Sequence, residues 1–374
     1  MIYFDNAATG GFKPRAVTDA ANTVIRYLSA NPGRSGHRLS VTGAEMVYDC
    51  REAIGNFFSA KPERVIFTKN CTEALNVAIF GTLQTGGHII TTVFEHNSVL
   101  RPLFTLKQKG LIDLDVATPT PDKPLVKAIE EKIKPNTYMI VATAVSNVTG
   151  YALPLQQIGQ LAKKHDLLFL VDGAQGGGHI PLDMKKLNVS LLALAGHKGL
   201  YGIMGSGVLL IDDETEVEPL ILGGTGSESF NLNQPNPYPE RLEAGTINLP
   251  AIAALGEGIR FVKNNINGFS AHLYSATERI IQRISLIDGI NCYSKPNDSG
   301  IVSFAFNTLA SSEAADILNL EFDVAVRGGL HCAPLIHQHL NTAKEGLVRV
   351  SLAVQNSSSE IDYFINAVQK IARR

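Results

Sequence analysis

The stretch Phe169-Leu170-Val171-Asp172-Gly173-Ala174-Gln175 is an apolar run that stops on a carboxylate and continues into small residues. Read as a strand, it carries Asp172 at its carboxyl end, and the glycine and alanine beyond it let another group come close. Open α/β sheets bind ligands outside the carboxyl ends of their strands, so this run points to a fold and a site together. Moving outward, short β-branched runs alternate with longer amphipathic stretches. Arg64 to Thr68, His88 to Thr92, Met139 to Thr143 and Leu167 to Asp172 read as strands, and Thr72 to Leu83 and Leu155 to His165 as helices. This alternation predicts a large, mostly parallel α/β sheet.

From about Pro250 the texture changes. A helix over Pro250 to Lys263 and a long amphipathic stretch from Ser270 precede strands at Ile301 to Phe306, Val324 to Arg327 and Leu347 to Ser351. A terminal helix over Ser358 to Ala372 has N-cap candidates in Ser357, Ser358 and Ser359 and an acid, Glu360, in its first turn. The expected organisation is an N-terminal segment (1–15), a large α/β domain (16–250) and a smaller α+β domain (251–374). Gly223 to Glu240, rich in Gly, Ser, Asn and Pro, reads as a long loop of the kind that is usually functional.

The composition narrows the function class. The 374 residues are 45% hydrophobic and 18% charged, and a mean hydropathy of +0.07 suits a globular protein with a sizeable core. Lys and Arg number 33 against 35 Asp and Glu, for a formal charge of −2, so no net charge favours nucleic acid or an anionic membrane. No segment supplies the ~18 consecutive apolar residues that span a bilayer, and the N-terminus lacks a basic stretch followed by an apolar run. Cys50, Cys71, Cys292 and Cys332 lie far apart, without a CxxC pair or the cysteine and histidine spacing of a zinc module. The reading is of a cytoplasmic protein with reduced thiols and no metal.

A second apolar run, Leu191 to Leu194, leads into Ala195-Gly196-His197-Lys198-Gly199. A lysine at a strand end can lose basicity by desolvation and act as a Schiff-base nucleophile. With Asp172 beside it, the pair suggests pyridoxal phosphate, whose ring nitrogen pairs with an Asp while a Lys holds the aldehyde. Thr68-Lys69-Asn70-Cys71-Thr72-Glu73-Ala74 offers a phosphate cradle, with a hydroxyl and free N–H groups at a helix start. The same residues also fit ordinary helix capping.

Together these motifs resemble the cysteine desulfurase and selenocysteine lyase branch of the class V aminotransferases, among the fold type I pyridoxal phosphate enzymes. The resemblance runs through YFDNAAT (Tyr3 to Thr9), NPGRSGHRLS (Asn31 to Ser40), FTKNCTEALN (Phe67 to Asn76), EHNSVLRP (Glu95 to Pro102) and SNVTG (Ser146 to Gly150). It continues through VDGAQGGGHIPLD (Val171 to Asp183), AGHKGLYG (Ala195 to Gly202), EAGTIN (Glu243 to Asn248), RGGLHCAP (Arg327 to Pro334) and VRVSLAVQN (Val348 to Asn356). It covers nearly the whole chain.

The resemblance implies that Lys198 holds the cofactor aldehyde, Asp172 sits against the pyridine nitrogen, Gln175 reaches the ring hydroxyl and His96 packs over the ring face. Cys71, Thr72 and His197 would bind the phosphate, and Asn147 would serve both the ring hydroxyl and the substrate carboxylate. Arg349 would clamp that carboxylate, with Ala8 and Arg34 also lining the substrate site. Thr246 would reach the phosphate of the other subunit, implying a homodimer with shared active sites. Cys332 would accept sulfur from L-cysteine as a persulfide, leaving L-alanine; His331 and Arg327 stand near it as positive or donor groups. A short cysteine loop of this kind implies transfer to a dedicated acceptor protein. The alternatives are a selenocysteine lyase acting on L-selenocysteine, a class V aminotransferase or lyase in which Cys332 is idle, and a non-catalytic scaffold. The sequence departs from the pattern at Gly33, at Asn70-Cys71 in place of Gly-Thr, at Ala195 in place of a hydroxyl residue, and at Leu330 in place of a histidine.

Overall fold

The computed structural model describes residues 1–374. Seven strands form the central sheet, in the order Val65–Thr68, Gly207–Ile211, Leu191–Ala195, Leu168–Asp172, Thr137–Thr143, Gly87–Thr92 and Ile112–Ala117. All are parallel except Gly207–Ile211, which runs against both its neighbours. Helices cover both faces, which explains why strands such as Leu191–Ala195 are buried along their length and show no polar alternation. In register, Thr143 lies beside Asp172 and Asp172 beside Ala193, so adjacent strands end at one rim of the sheet.

A second, four-stranded antiparallel sheet has the order Arg327–Gly329, Leu347–Ser351, Ile301–Phe306 and Ile290–Cys292. Its core is closed by Phe4, whose ring meets Phe364 edge-on, while Phe304 also packs on Phe364. The N-terminal residues therefore belong to the packing of this C-terminal unit: Ile2–Tyr3 pairs with Val324–Ala325, and Asp5 bridges to Ser351.

Two sequence expectations are corrected. The helix expected to end at Lys263 runs on through the amphipathic stretch from Ser270 as one helix, Leu249–Ile284, 36 residues long. The Asn- and Gly-rich segment between them is a poor helix former, but Phe269 packs against Phe261 and Tyr201, and this tertiary contact outweighs propensity. The expected strand Val324 to Arg327 is two strands in two sheets, Val324–Ala325 and Arg327–Gly329. The terminal helix Ser358–Ala372 starts on a capping box formed by Ser357 and Glu360.

Candidate active site

Asp172 is buried at the end of its strand, where Oδ1 accepts the Ala174 N–H at 2.9 Å and the Cys71 thiol at 3.5 Å. One strand over, the chain leaves Leu191–Ala195 through Gly196, where a Cβ would lie 2.3 Å from Ser206 Oγ; only glycine permits the turn that delivers Lys198. Burial lowers the Lys198 pKa, opposed by the Asp172 charge. His197 is kept neutral, its pKa pushed down to about 4 by burial first and by Lys198 next. Its Nδ1 meets Thr9 Oγ1 at 3.0 Å, and its carbonyl accepts from the Gly10 N–H and Lys13 Nζ.

The helix Cys71–Gly81 begins beneath this rim. Asn70, one of the departures from the family pattern, is its N-cap and accepts the Glu73 N–H at 2.9 Å. Thr72 Oγ1 contacts Ser98 Oγ at 2.8 Å, and Ser98 Oγ contacts His96 Nδ1 at 2.9 Å, so a chain of hydroxyls joins the helix start to His96. His96 is itself the N-cap of Asn97–Gln108 and accepts the Ser98 N–H on Nδ1, which assigns the ring proton to Nε2. Burial pushes its pKa down to about 4, and it feels the charges of Asp172, Lys198, Arg327 and Arg349. These groups therefore lie close to one another.

Opposite them, Arg349 is 1% exposed. One guanidinium nitrogen donates to the Asn147 carbonyl at 3.0 Å and another to Asp5 Oδ1 at 2.9 Å, while Nε is buried without a partner. The Asn147 side chain donates to the His331 carbonyl at 2.7 Å, and Gln175 donates to the Ala7 carbonyl, next to Ala8, at 2.8 Å.

Cys332 is exposed at a sharp turn in which both His331 (φ 50°) and Cys332 (φ 57°) are left-handed. The Asn97 N–H, next to His96, donates to the Cys332 carbonyl at 2.7 Å, and Arg327 Nη2 lies 3.9 Å from Sγ. The expectation that His331 adds positive charge is corrected. It is buried, its Nε2–H donates to the Leu347 carbonyl, and burial with Arg349 and His337 nearby pushes its pKa down to about 2. Arg327 is the cation that touches the sulfur.

Arg34 and Thr246 stand elsewhere. Arg34 reaches the Gly245 carbonyl, beside exposed Thr246, in a cavity of about 370 Å³ between residues 31–51 and the 225–247 loop. Neither has a hydrogen bond to Asp172, Lys198 or His96 within this chain. That loop is fastened by a buried ion pair, Arg51 with Glu243, whose other oxygen accepts the Phe67 N–H at 2.6 Å. Sequence reasoning missed Glu243 and Asp5 as counter-ions; the signal was an acid inside each motif with no assigned task.

The aminotransferase class V family pattern matches residues 2–364. The chain belongs to the class V aminotransferase family. Among its class V relatives, probable cysteine desulfurases of Methanothermobacter thermautotrophicus and Pyrococcus abyssi are 31% and 32% identical, over 99% and 100% of the chain and 94% of each relative. The apo structure of a cysteine desulfurase from Thermococcus onnurineus NA1 superimposes with a TM-score of 0.93 at 32% identity, covering 100% of the chain and 94% of that structure. The Escherichia coli cysteine desulfurase CsdA, in its S-sulfonic acid form, gives 0.90 at 27% identity, over 99% and 94%. The class V fold here is that of the type I pyridoxal phosphate enzymes.

Proposed function

We propose that the protein is a pyridoxal phosphate-dependent cysteine desulfurase that converts L-cysteine to L-alanine and retains the sulfur as a persulfide on Cys332. The observation that carries this reading is the Cys332 thiol, exposed beside Arg327 and hung by its carbonyl from the residue next to His96. An idle cysteine has no reason to occupy a strained turn fixed to the cofactor face.

The donor set fits the cofactor. Asp172 is a buried carboxylate with few donors of its own, Lys198 is an amine made less basic by burial, and Arg349 keeps one buried nitrogen unpaired. When bound, pyridoxal phosphate supplies the electron sink for the carbon chemistry. Asp172 would hold the ring nitrogen, His96 one ring face, Gln175 and Asn147 the ring oxygen, and Thr72, His197 and the backbone at Cys71 the phosphate. Arg349 holds the substrate carboxylate, with a fork geometry a lysine lacks. The Cys332 thiolate attacks the substrate sulfur; an S–S bond forms, the C–S bond breaks, and its electron pair stays with the carbon, which takes a proton to become L-alanine. No external oxidant is needed.

Two features support a homodimer with shared sites. Phe230 and Leu232 are fully exposed on the long loop, with Leu220, Ile221 and Leu222 also uncovered. Thr246 and Arg34, at the base of the same loop, have no contact with the site of their own chain, which suits a role in the partner's. Exposure of Cys332 supports delivery of its sulfur to an acceptor protein. No helix is long and apolar enough to cross a membrane, and four free cysteines support a reducing, cytoplasmic location.

The test is incubation with L-cysteine followed by peptide mass analysis. A Cys332 peptide gaining one sulfur atom, with L-alanine released and the cofactor fixed to Lys198 by borohydride, is the expected result. Alanine at an undiminished rate from Cys332→Ala would overturn the reading. Running L-selenocysteine in parallel distinguishes a lyase, which would keep activity on that substrate without the thiol.

A further inference from the structure

His337 takes no part in the chemistry above, yet it is 0% exposed, on the short helix Pro334–His339 that follows Cys332. Burying an imidazole is costly unless its nitrogens are used. Nδ1 meets Thr342 Oγ1 at 2.8 Å, and the Leu330 carbonyl also acts on the ring, while Nε2 has no close partner. Its ring lies 5.9 Å from that of His331, with the planes at 44°.

The two histidines bind one stretch of chain from both sides. His331 donates to the carbonyl of Leu347, the first residue of the strand that carries Arg349. His337 holds Thr342, and the Thr342 carbonyl accepts the Gly346 N–H at 2.9 Å, immediately before that strand. At the front of the turn, Asn147 and Asn97 hold the carbonyls of His331 and Cys332. With consecutive left-handed residues at its tip, the turn relaxes unless something behind it resists.

We propose that His337 is a positioning residue for sulfur transfer: packed behind His331, it presses the Leu330-His331-Cys332 turn against the start of the Arg349 strand. The consequence is a fixed reach between the thiol and the carboxylate clamp, the dimension that a bound amino acid with sulfur on its β-carbon must span. This rests on the reading of Cys332 as the sulfur acceptor.

The test uses the cofactor-loaded enzyme with His337→Ala, His337→Asn and Thr342→Val. Hydrogen exchange of residues 329–333, persulfide formation on Cys332 and cofactor affinity are measured together. His337→Ala should speed exchange in 329–333 about tenfold and slow persulfide formation by ~10- to 100-fold, as a mispositioned reacting group does. Cofactor affinity should stay within about twofold, since no cofactor-holding residue is touched. His337→Asn, whose amide stands at the Nδ1 position that meets Thr342, should recover most of the rate, and Thr342→Val should share part of the defect. A folded His337→Ala protein with unchanged exchange in 329–333 and an unchanged persulfide rate would overturn the proposal. So would faster exchange spread evenly over the chain with no recovery in Asn, since that pattern marks general destabilisation. Failure of the wild type to form a persulfide on Cys332 would sink the functional reading instead, whatever the exchange shows.

Discussion

The thiol of Cys71 donates to Oδ1 of Asp172 across 3.5 Å, at the first residue of the helix Cys71–Gly81. A cysteine therefore touches the carboxylate that would pair with the cofactor nitrogen. Burial and the Asp172 charge together push its pKa well above the usual thiol range. Cys50, in the core, is pushed up to about 12 by burial.

Thiol chemistry should sort the cysteines accordingly, because the thiolate is the reactive form and needs access. Iodoacetamide at neutral pH should label exposed Cys332 first and leave Cys71 and Cys50 unmodified in the folded protein. Peptide mapping over a time course checks this. Early labelling of Cys71 would mean that the contact with Asp172 does not hold in solution.

Asp5 is the counter-ion of a guanidinium that is almost wholly buried. Asp5→Ala would leave Arg349 charged and unpaired, which should cost about 2 kcal/mol of stability, less than a fully buried pair because Asp5 is partly exposed. Asp5→Asn should lose less, since an amide oxygen still accepts. Urea denaturation of the two variants measures the difference, and equal stability of Ala and wild type would show that Arg349 finds another partner.

That pair also marks where sequence reading stopped. Asp172 and Lys198 were legible because each ends an apolar run, a local pattern. The Asp5 to Arg349 pair joins residues 344 positions apart, and nothing in either motif names the other. The neutrality of His331 was hidden for a different reason: its charge depends on burial, and a histidine beside a cysteine reads as a cation until the Leu347 carbonyl and the surrounding arginines are in place. The continuous helix Leu249–Ile284 was hidden by its own Asn and Gly residues, whose weak propensity is overruled by aromatic packing visible only in three dimensions.

Glu95 sets a pH dependence with a definite sign. It is fully buried at the rim of the sheet; Oε1 accepts from Thr92 Oγ1 at 2.5 Å and from the Thr143 N–H at 3.0 Å, and Oε2 has no partner. Burial pushes its pKa up to about 8, against about 4.3 for an unfolded Glu. The folded state thus keeps a proton that the unfolded state releases. This contribution is fully present below about pH 4 and is lost as pH rises towards 8, shifting the unfolding equilibrium about tenfold per pH unit in between. Glu95→Gln has the same shape and no titration, so the difference in stability between variant and wild type should grow from pH 5 to 8. Parallel pH profiles for the two proteins would show that Glu95 ionises normally.

Arg327 and Arg349 face each other across two antiparallel strands, but their surroundings differ. Arg349 is neutralised by Asp5, whereas the Arg327 guanidinium is turned to Cys332 Sγ at 3.9 Å. With His331 neutral, Arg327 is the cation in reach of the sulfur, placed to stabilise charge that develops there during attack. Arg327→Gln should slow both alkylation of Cys332 and persulfide formation by about tenfold or more, the scale set by removing one electrostatic stabiliser. Arg327→Lys should recover part of that rate, because a cation returns without the planar fork. Cofactor loading should be unaffected in both, since Lys198 and Asp172 are untouched. His331→Gln provides the contrast: its defect should appear as a loosened turn and not as a loss of charge, so Arg327→Gln and His331→Gln should respond differently to raised ionic strength. If Arg327→Gln alkylates and forms persulfide at the wild-type rate, the thiol is activated by something other than this arginine.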